Sequence, residues 1–177
     1  AFAFPGSSFW SRSTLPAASF AGSEGSGSHR SSSWMVRTSL PAIQAISATQ
    51  DAGNLRAEHF IHLRCELPCP DTAESANLTA AAGDIHLISI MDHTPGARQF
   101  VSIDKFKQYY LGKKLILPEK IDAYITERRE MQARHAATNK KGILDLARQL
   151  NVKLASHDDA TEAHVEEALQ DGVAIAE

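Results

Sequence analysis

An α/β fold built on parallel strands is what this 177-residue chain predicts, on three observations. Short apolar runs, Phe60–Glu66, Ile85–Met91 and Val152–Ser156, alternate with longer stretches of helical character. Each run leads into a side chain able to ligate a metal: Glu66, His93 and His157. A loop and a helix follow each run, the order that lays successive strands side by side through right-handed crossovers. About four strands are legible, whereas a complete (β/α)₈ TIM-type barrel takes ~200 residues or more. The expectation is therefore a partial barrel, an internal fragment of a longer enzyme, with strand ends converging on one rim.

The elements follow in order. Leu40, Ile43 and Ile46 recur at helical spacing over Thr38–Ala52, and Gly53 ends that helix. His59–Glu66 is a strand whose period of two puts Phe60, His62, Arg64 and Glu66 on one face and Ile61, Leu63 and Cys65 on the other. Pro68 and Pro70 break it, and Asp71 is placed to cap a helix running to Ala82. Asp84–Met91 is apolar enough for burial on both faces, with His86 in its core. After the loop Asp92–Phe100 come helices over Asp104–Leu111, from Pro118 through Met131, and from a cap at Thr138 or Asn139 to Leu150. Val152–Ser156 is the third strand, Thr161–Gln170 a helix, and Val173–Ala176 the start of a fourth strand.

Composition narrows the function. Hydrophobic residues at 43% and charged residues at 22% match an ordinary globular domain. A net charge of −3 offers no basic field for nucleic acid or anionic lipid. No run approaches the ~18 apolar residues of a spanning helix, so a cytoplasmic location is expected. Cys65 and Cys69 form no CxxC pair and read as idle thiols in a reducing compartment. Residues 1–34 are Ser- and Gly-rich and nearly free of acids. They read as a disordered extension, with an organelle transit peptide as the alternative, and residues 35–177 as the barrel domain.

Carboxylate and neutral imidazole together suit a divalent ion, Zn²⁺ or Mn²⁺, so Glu66, His93 and His157 are the candidate ligands. Such an ion could lower the pKa of water toward ~7. Asp158 and Asp159 either orient a ligand, act as acid–base partner or cap the helix ahead of Thr161. Asp159 is taken as the catalytic candidate. In the loop His93–Phe100, the Pro95–Gly96 turn frees backbone N–H groups and Arg98 can grip phosphate, so Gly96, Arg98 and Gln99 are the candidate contacts to an anionic substrate. The alternative for that loop is an ordinary surface turn with a solvated arginine.

Three stretches carry a resemblance: Leu55–Glu66 (LRAEHFIHLRCE), Ile90–Phe100 (IMDHTPGARQF) and Leu154–Thr161 (LASHDDAT). From about Met35 to Glu177 the chain resembles the alpha-D-ribose 1-methylphosphonate 5-triphosphate diphosphatases of the carbon–phosphorus lyase pathway, in the amidohydrolase superfamily. The resemblance implies a distorted (β/α)₈ barrel with a divalent-metal centre that hydrolyses a small phosphorylated ribose phosphonate, releasing diphosphate in phosphonate catabolism. By that analogy Glu66 stands at the end of the fourth strand, where a bridging carboxylate or carboxylated lysine is found. His93 and His157 stand on the ligand positions ending the fifth and sixth. No first-strand His-x-His precedes Leu40, the last-strand aspartate would lie beyond Glu177, and Ala97 stands where the family pattern leads one to expect Gln. The chain is thus expected to supply part of the metal shell, alone or with a second copy or a complementing barrel fragment. The alternatives are a remnant without catalysis and an amidohydrolase acting on a cyclic amide.

Overall fold

The computed structural model describes residues 33–176, so residues 1–32 of the expected extension lie outside the described residues. Helix α1 (Ser33–Asp51) opens the structure, and Ser33 and Trp34, expected in the extension, are helical. There follow β1 (His62–Glu66), α2 (Thr72–Ala80), β2 (Leu87–Met91), α3 (Ile103–Gly112), α4 (Ile121–Leu150), β3 (Lys153–Ser156), α5 (Glu162–Gln170) and β4 (Ile175–Ala176). All four strands are parallel and lie in sequence order, β1-β2-β3-β4. Glu66 pairs with Met91, and Ile90 with Ser156. The strands therefore end in step, and the loops carrying His93 and His157 leave the sheet at the edge where Glu66 stands.

The alternation of β1 sorts its two faces as the sequence suggested. Cys65, Ile88, Ile90 and Leu154 turn toward the helices and pack with Ile43 of α1, Ala76 of α2 and Ile143, Leu144, Leu146 and Ala147 of α4. Each fully buried aliphatic side chain of this kind contributes roughly 1.5–3 kcal/mol over its exposed state. On the opposite face, His62 Nε2 meets Ser89 Oγ at 2.9 Å and Arg64 Nε donates to Met91 Sδ at 3.3 Å. This face is polar and leads straight to Glu66. His86 departs from expectation: it precedes β2, is exposed, and its Nδ1 accepts from the Ile61 N–H at 3.0 Å.

A second departure lies in α4. The sequence suggested two helices with a cap at Thr138 or Asn139, but one 30-residue helix runs through. Asn139 serves tertiary structure instead. It is buried, its Nδ2 donates to Leu67 O (2.9 Å) and Cys69 O (2.6 Å), and its Oδ1 accepts from Ala73 N–H (3.3 Å). One amide thus satisfies the turn between β1 and α2, where Pro68 and Pro70 offer no donors of their own. Gly142, a turn later, lets α4 approach α2, since a Cβ there would lie 2.9 Å from Ala73 Cβ. Asp71 holds the N-cap position of α2, but its carboxylate makes no cap hydrogen bond.

A smaller aromatic cluster seats α3 on the first turns of α4. Phe106, Ile121 and Ile125 are buried there, and Phe106 stacks on Tyr110 with ring centroids 4.1 Å apart. Burial pushes the Cys65 thiol up to about 12 and the Cys69 thiol up to about 11, so both stay protonated and inert at neutral pH. No helix among the described residues is long and apolar enough to cross a membrane.

Replacing Asn139 with Ala should leave the buried Leu67 carbonyl without its side-chain donor and cost about 2–3 kcal/mol in urea unfolding. A loss under about 0.5 kcal/mol would show that the turn does not depend on this amide.

Candidate metal centre

Three loops meet at the C-terminal edge of the sheet. Glu66 is held by its own backbone carbonyl, which accepts from Thr72 Oγ1 (2.5 Å) and Cys69 N–H (3.2 Å). Its carboxylate then takes two bonds from one residue of the next strand's loop: Oε1 accepts from the His93 backbone N–H at 2.9 Å, and Oε2 meets His93 Nδ1 at 2.5 Å. A carboxylate only accepts, so this contact puts a proton on Nδ1 and aims Nε2 away from Glu66. The hydrogen bond to Glu66 raises the His93 pKa above its ordinary value, against the opposing effect of burial.

His157 brings the second imidazole, with ring centroids 5.7 Å apart and planes at 68°. Asp158 lies between the two rings. Its Oδ2 is 3.3 Å from His157 Nε2 and 3.7 Å from His93 Nε2, and this buried oxygen accepts no hydrogen bond. One ligand atom from each of His93, His157 and Asp158 can be chosen so that all lie within 4.8 Å of one another. A buried carboxylate oxygen flanked by imidazole nitrogens at more than bonding distance fits a divalent cation between them. Arg64 Nη2 lies 3.0 Å from His157 Nε2, so a cation taking that nitrogen would displace the guanidinium.

The predicted residues divide. The structure brings Glu66, His93 and His157 to one rim, but Glu66 is turned to His93, and the carboxylate nearest both imidazoles is Asp158. Asp159 lies on the helix side of the turn, where Ser156 Oγ and Arg98 Nη1 both donate to it. The helix cap considered for these aspartates belongs to Thr161, whose side chain accepts from His164 N–H.

Arg98 is buried, and its second nitrogen donates to Glu167 Oε2 at 3.1 Å, so its guanidinium is engaged by two carboxylates. The Gly96 N–H donates to Phe100 O at 2.9 Å, closing the turn on itself. Glycine is needed there because φ is +99° and a Cβ would lie 2.8 Å from Arg129 Nη2. Gln99 is exposed. Sequence reasoning missed the outer clamp on this loop: Arg129 Nε donates to Pro95 O (3.1 Å), and Gln132 donates to Asp92. No local signal in the sequence marks Arg129 or Gln132.

The raised His93 pKa has a stability consequence. Its contribution is complete below about pH 6.5, the unfolded value, and is lost as pH rises through the higher folded value. In chelator, the urea midpoint of the wild type should fall as pH rises above about 6.5, and that component should vanish in Glu66→Gln. Parallel profiles for the two proteins would contradict the pairing.

No family model and no solved structure matches the chain. Among curated proteins it is 43% identical over 135 residues to the alpha-D-ribose 1-methylphosphonate 5-triphosphate diphosphatase of Escherichia coli (strain K12). The aligned stretch is 76% of this chain and 36% of that relative. The chain thus spans about a third of the relative's length and is, over that third, a partial match to a ribose-phosphonate triphosphate diphosphatase.

Proposed function

We propose that the chain carries one wedge of a metal-dependent diphosphatase barrel acting on alpha-D-ribose 1-methylphosphonate 5-triphosphate. The reading rests above all on the buried Asp158 oxygen set between two imidazoles at the strand ends. The sequential order of parallel strands supports the barrel, because each βα unit adds its strand beside the last. The name of the E. coli relative supports the substrate and the release of diphosphate.

In this reading His93, His157 and Asp158 hold a divalent ion, with Zn²⁺ or Mn²⁺ favoured by imidazole and carboxylate ligands. Such an ion supplies Lewis-acid polarisation of a phosphoryl oxygen and neutralises charge in the triphosphate. Glu66 acts one step back, presenting the His93 Nε2 lone pair by holding the proton on Nδ1. Arg64, 3.0 Å from His157 Nε2, would have to leave that nitrogen for an ion to be held there. Gln99 and Lys105 flank one cleft beside the Asp92–Phe100 loop, and the polyphosphate chain runs past them. With Arg98 consumed by Asp159 and Glu167, Gln99 of the loop and Lys105 of α3 are the groups that line the cleft to meet it.

Calorimetric titration with Zn²⁺ and Mn²⁺ should show one saturable site, weakened at least ~10-fold in His93→Ala and in His157→Ala. Binding indifferent to both substitutions would refute the ligand set. In a completed barrel supplied with metal, phosphorus NMR of the triphosphate substrate should show diphosphate appearing together with the 5-phosphate. Stepwise release of orthophosphate would contradict a diphosphatase.

A further inference from the structure

The loops that carry the candidate ligands are joined by a contact that touches no ligand atom. Arg98 lies on the β2 loop, five residues after His93, and Asp159 lies on the β3 turn, two after His157. The ion pair between them is largely closed to solvent, with side-chain exposures of 10% and 7%. Both Asp159 oxygens are taken, Oδ1 by Arg98 and Oδ2 by the buried hydroxyl of Ser156 at the end of β3. The residue between His157 and Asp159 adopts φ +56°, left-handed backbone that is uncommon outside glycine and that aspartate tolerates better than most. That residue is Asp158, whose oxygen stands between the imidazoles.

We propose that Arg98 and Asp159 are positioning residues for the metal centre. They form a strut that sets the spacing of the β2 and β3 loops and locks Asp158 in its left-handed conformation. The inference rests on the metal-site reading above and adds to it a role for two groups that contact neither ion nor substrate. Several features favour a strut over a general stabilising pair. Arg98 reaches across the two ligand-bearing loops, and its own φ is +28°. Its other partner, Glu167, is shared with Lys140, which also pairs with Asp171 and so ties α4 to α5 without touching the β3 turn. Removing Lys140 therefore loosens the same network on the side away from the ligands.

Zinc affinity, measured by competition with a chromophoric chelator, separates the two roles. Arg98→Met should weaken zinc binding at least ~10-fold, the size seen when a group orienting a ligand is lost. Arg98→Lys should recover part of it, and Lys140→Met should leave affinity within about twofold of wild type. Asp159→Asn, which keeps an acceptor for Ser156 but removes the charge facing Arg98, gives the same reading should Arg98→Met fail to fold. Unchanged affinity in Arg98→Met or in its Asp159→Asn substitute would overturn the strut. Equal weakening in Lys140→Met would overturn it too, as a sign of general loosening. Absence of saturable zinc binding in the wild type would sink the site reading and the strut together, whereas wild-type binding indifferent to Arg98 sinks the strut alone.

Discussion

The rim of this sheet is organised by one carboxylate spanning two strand ends. Glu66 grips His93 through both backbone and ring, so a single side chain fixes where the loop after β2 begins and which imidazole nitrogen faces inward. The contact needs two neighbouring parallel strands that end in step, which the Glu66–Met91 register provides. Without that register the carboxylate would reach the wrong residue of the loop. With it, His93 Nε2, His157 and the Asp158 oxygen gather into a space suited to a cation.

The remaining structure serves to hold these loops still. The β2 loop is clamped by α4 through Arg129 and Gln132, and α4 is clamped in turn by Asn139 to the turn after β1. The same long helix therefore braces the loops that carry Glu66 and His93. Of these bracing residues Asn139 is the buried one, and its cost of burial is met by backbone groups that would otherwise lack partners. Opposite them, His62, Arg64 and Ser89 line a polar sheet face ending at the candidate centre. That gradient from apolar helix side to polar strand side is how a parallel α/β sheet concentrates chemistry at its C-terminal edge.

Much of the fold was legible because its signals are local. The apolar runs ending at Glu66, Met91 and Ser156 and the alternation of His59–Glu66 depend only on neighbouring residues. The continuity of α4 was not, because Thr138 and Asn139 resemble a cap until the distant Leu67, Cys69 and Ala73 groups that engage Asn139 are in view. His86 looked like core because it lies within the run Asp84–Met91, yet the strand begins one residue after it. At the site, strand ends alone pointed to Glu66, His93 and His157, which the fold brings to one rim. The division of labour between Asp158 and Asp159 turns on a left-handed residue and on Arg98 reaching in from another loop, and neither leaves a mark in the sequence. Arg98 itself looked like a phosphate ligand because an arginine beside a Pro-Gly turn carries that chemistry; its two acidic partners lie 61 and 69 positions away.

A cation held between His93, His157 and Asp158 depends most directly on the tautomer of His93. Long-range proton–nitrogen NMR of the ring-labelled, metal-free protein, taken at a pH above the end of the raised His93 titration, reads it without reference to turnover. The account predicts hydrogen on Nδ1 and a bare Nε2. A ring protonated at Nε2 alone would turn its lone pair toward Glu66, away from Asp158 and His157, and would contradict it.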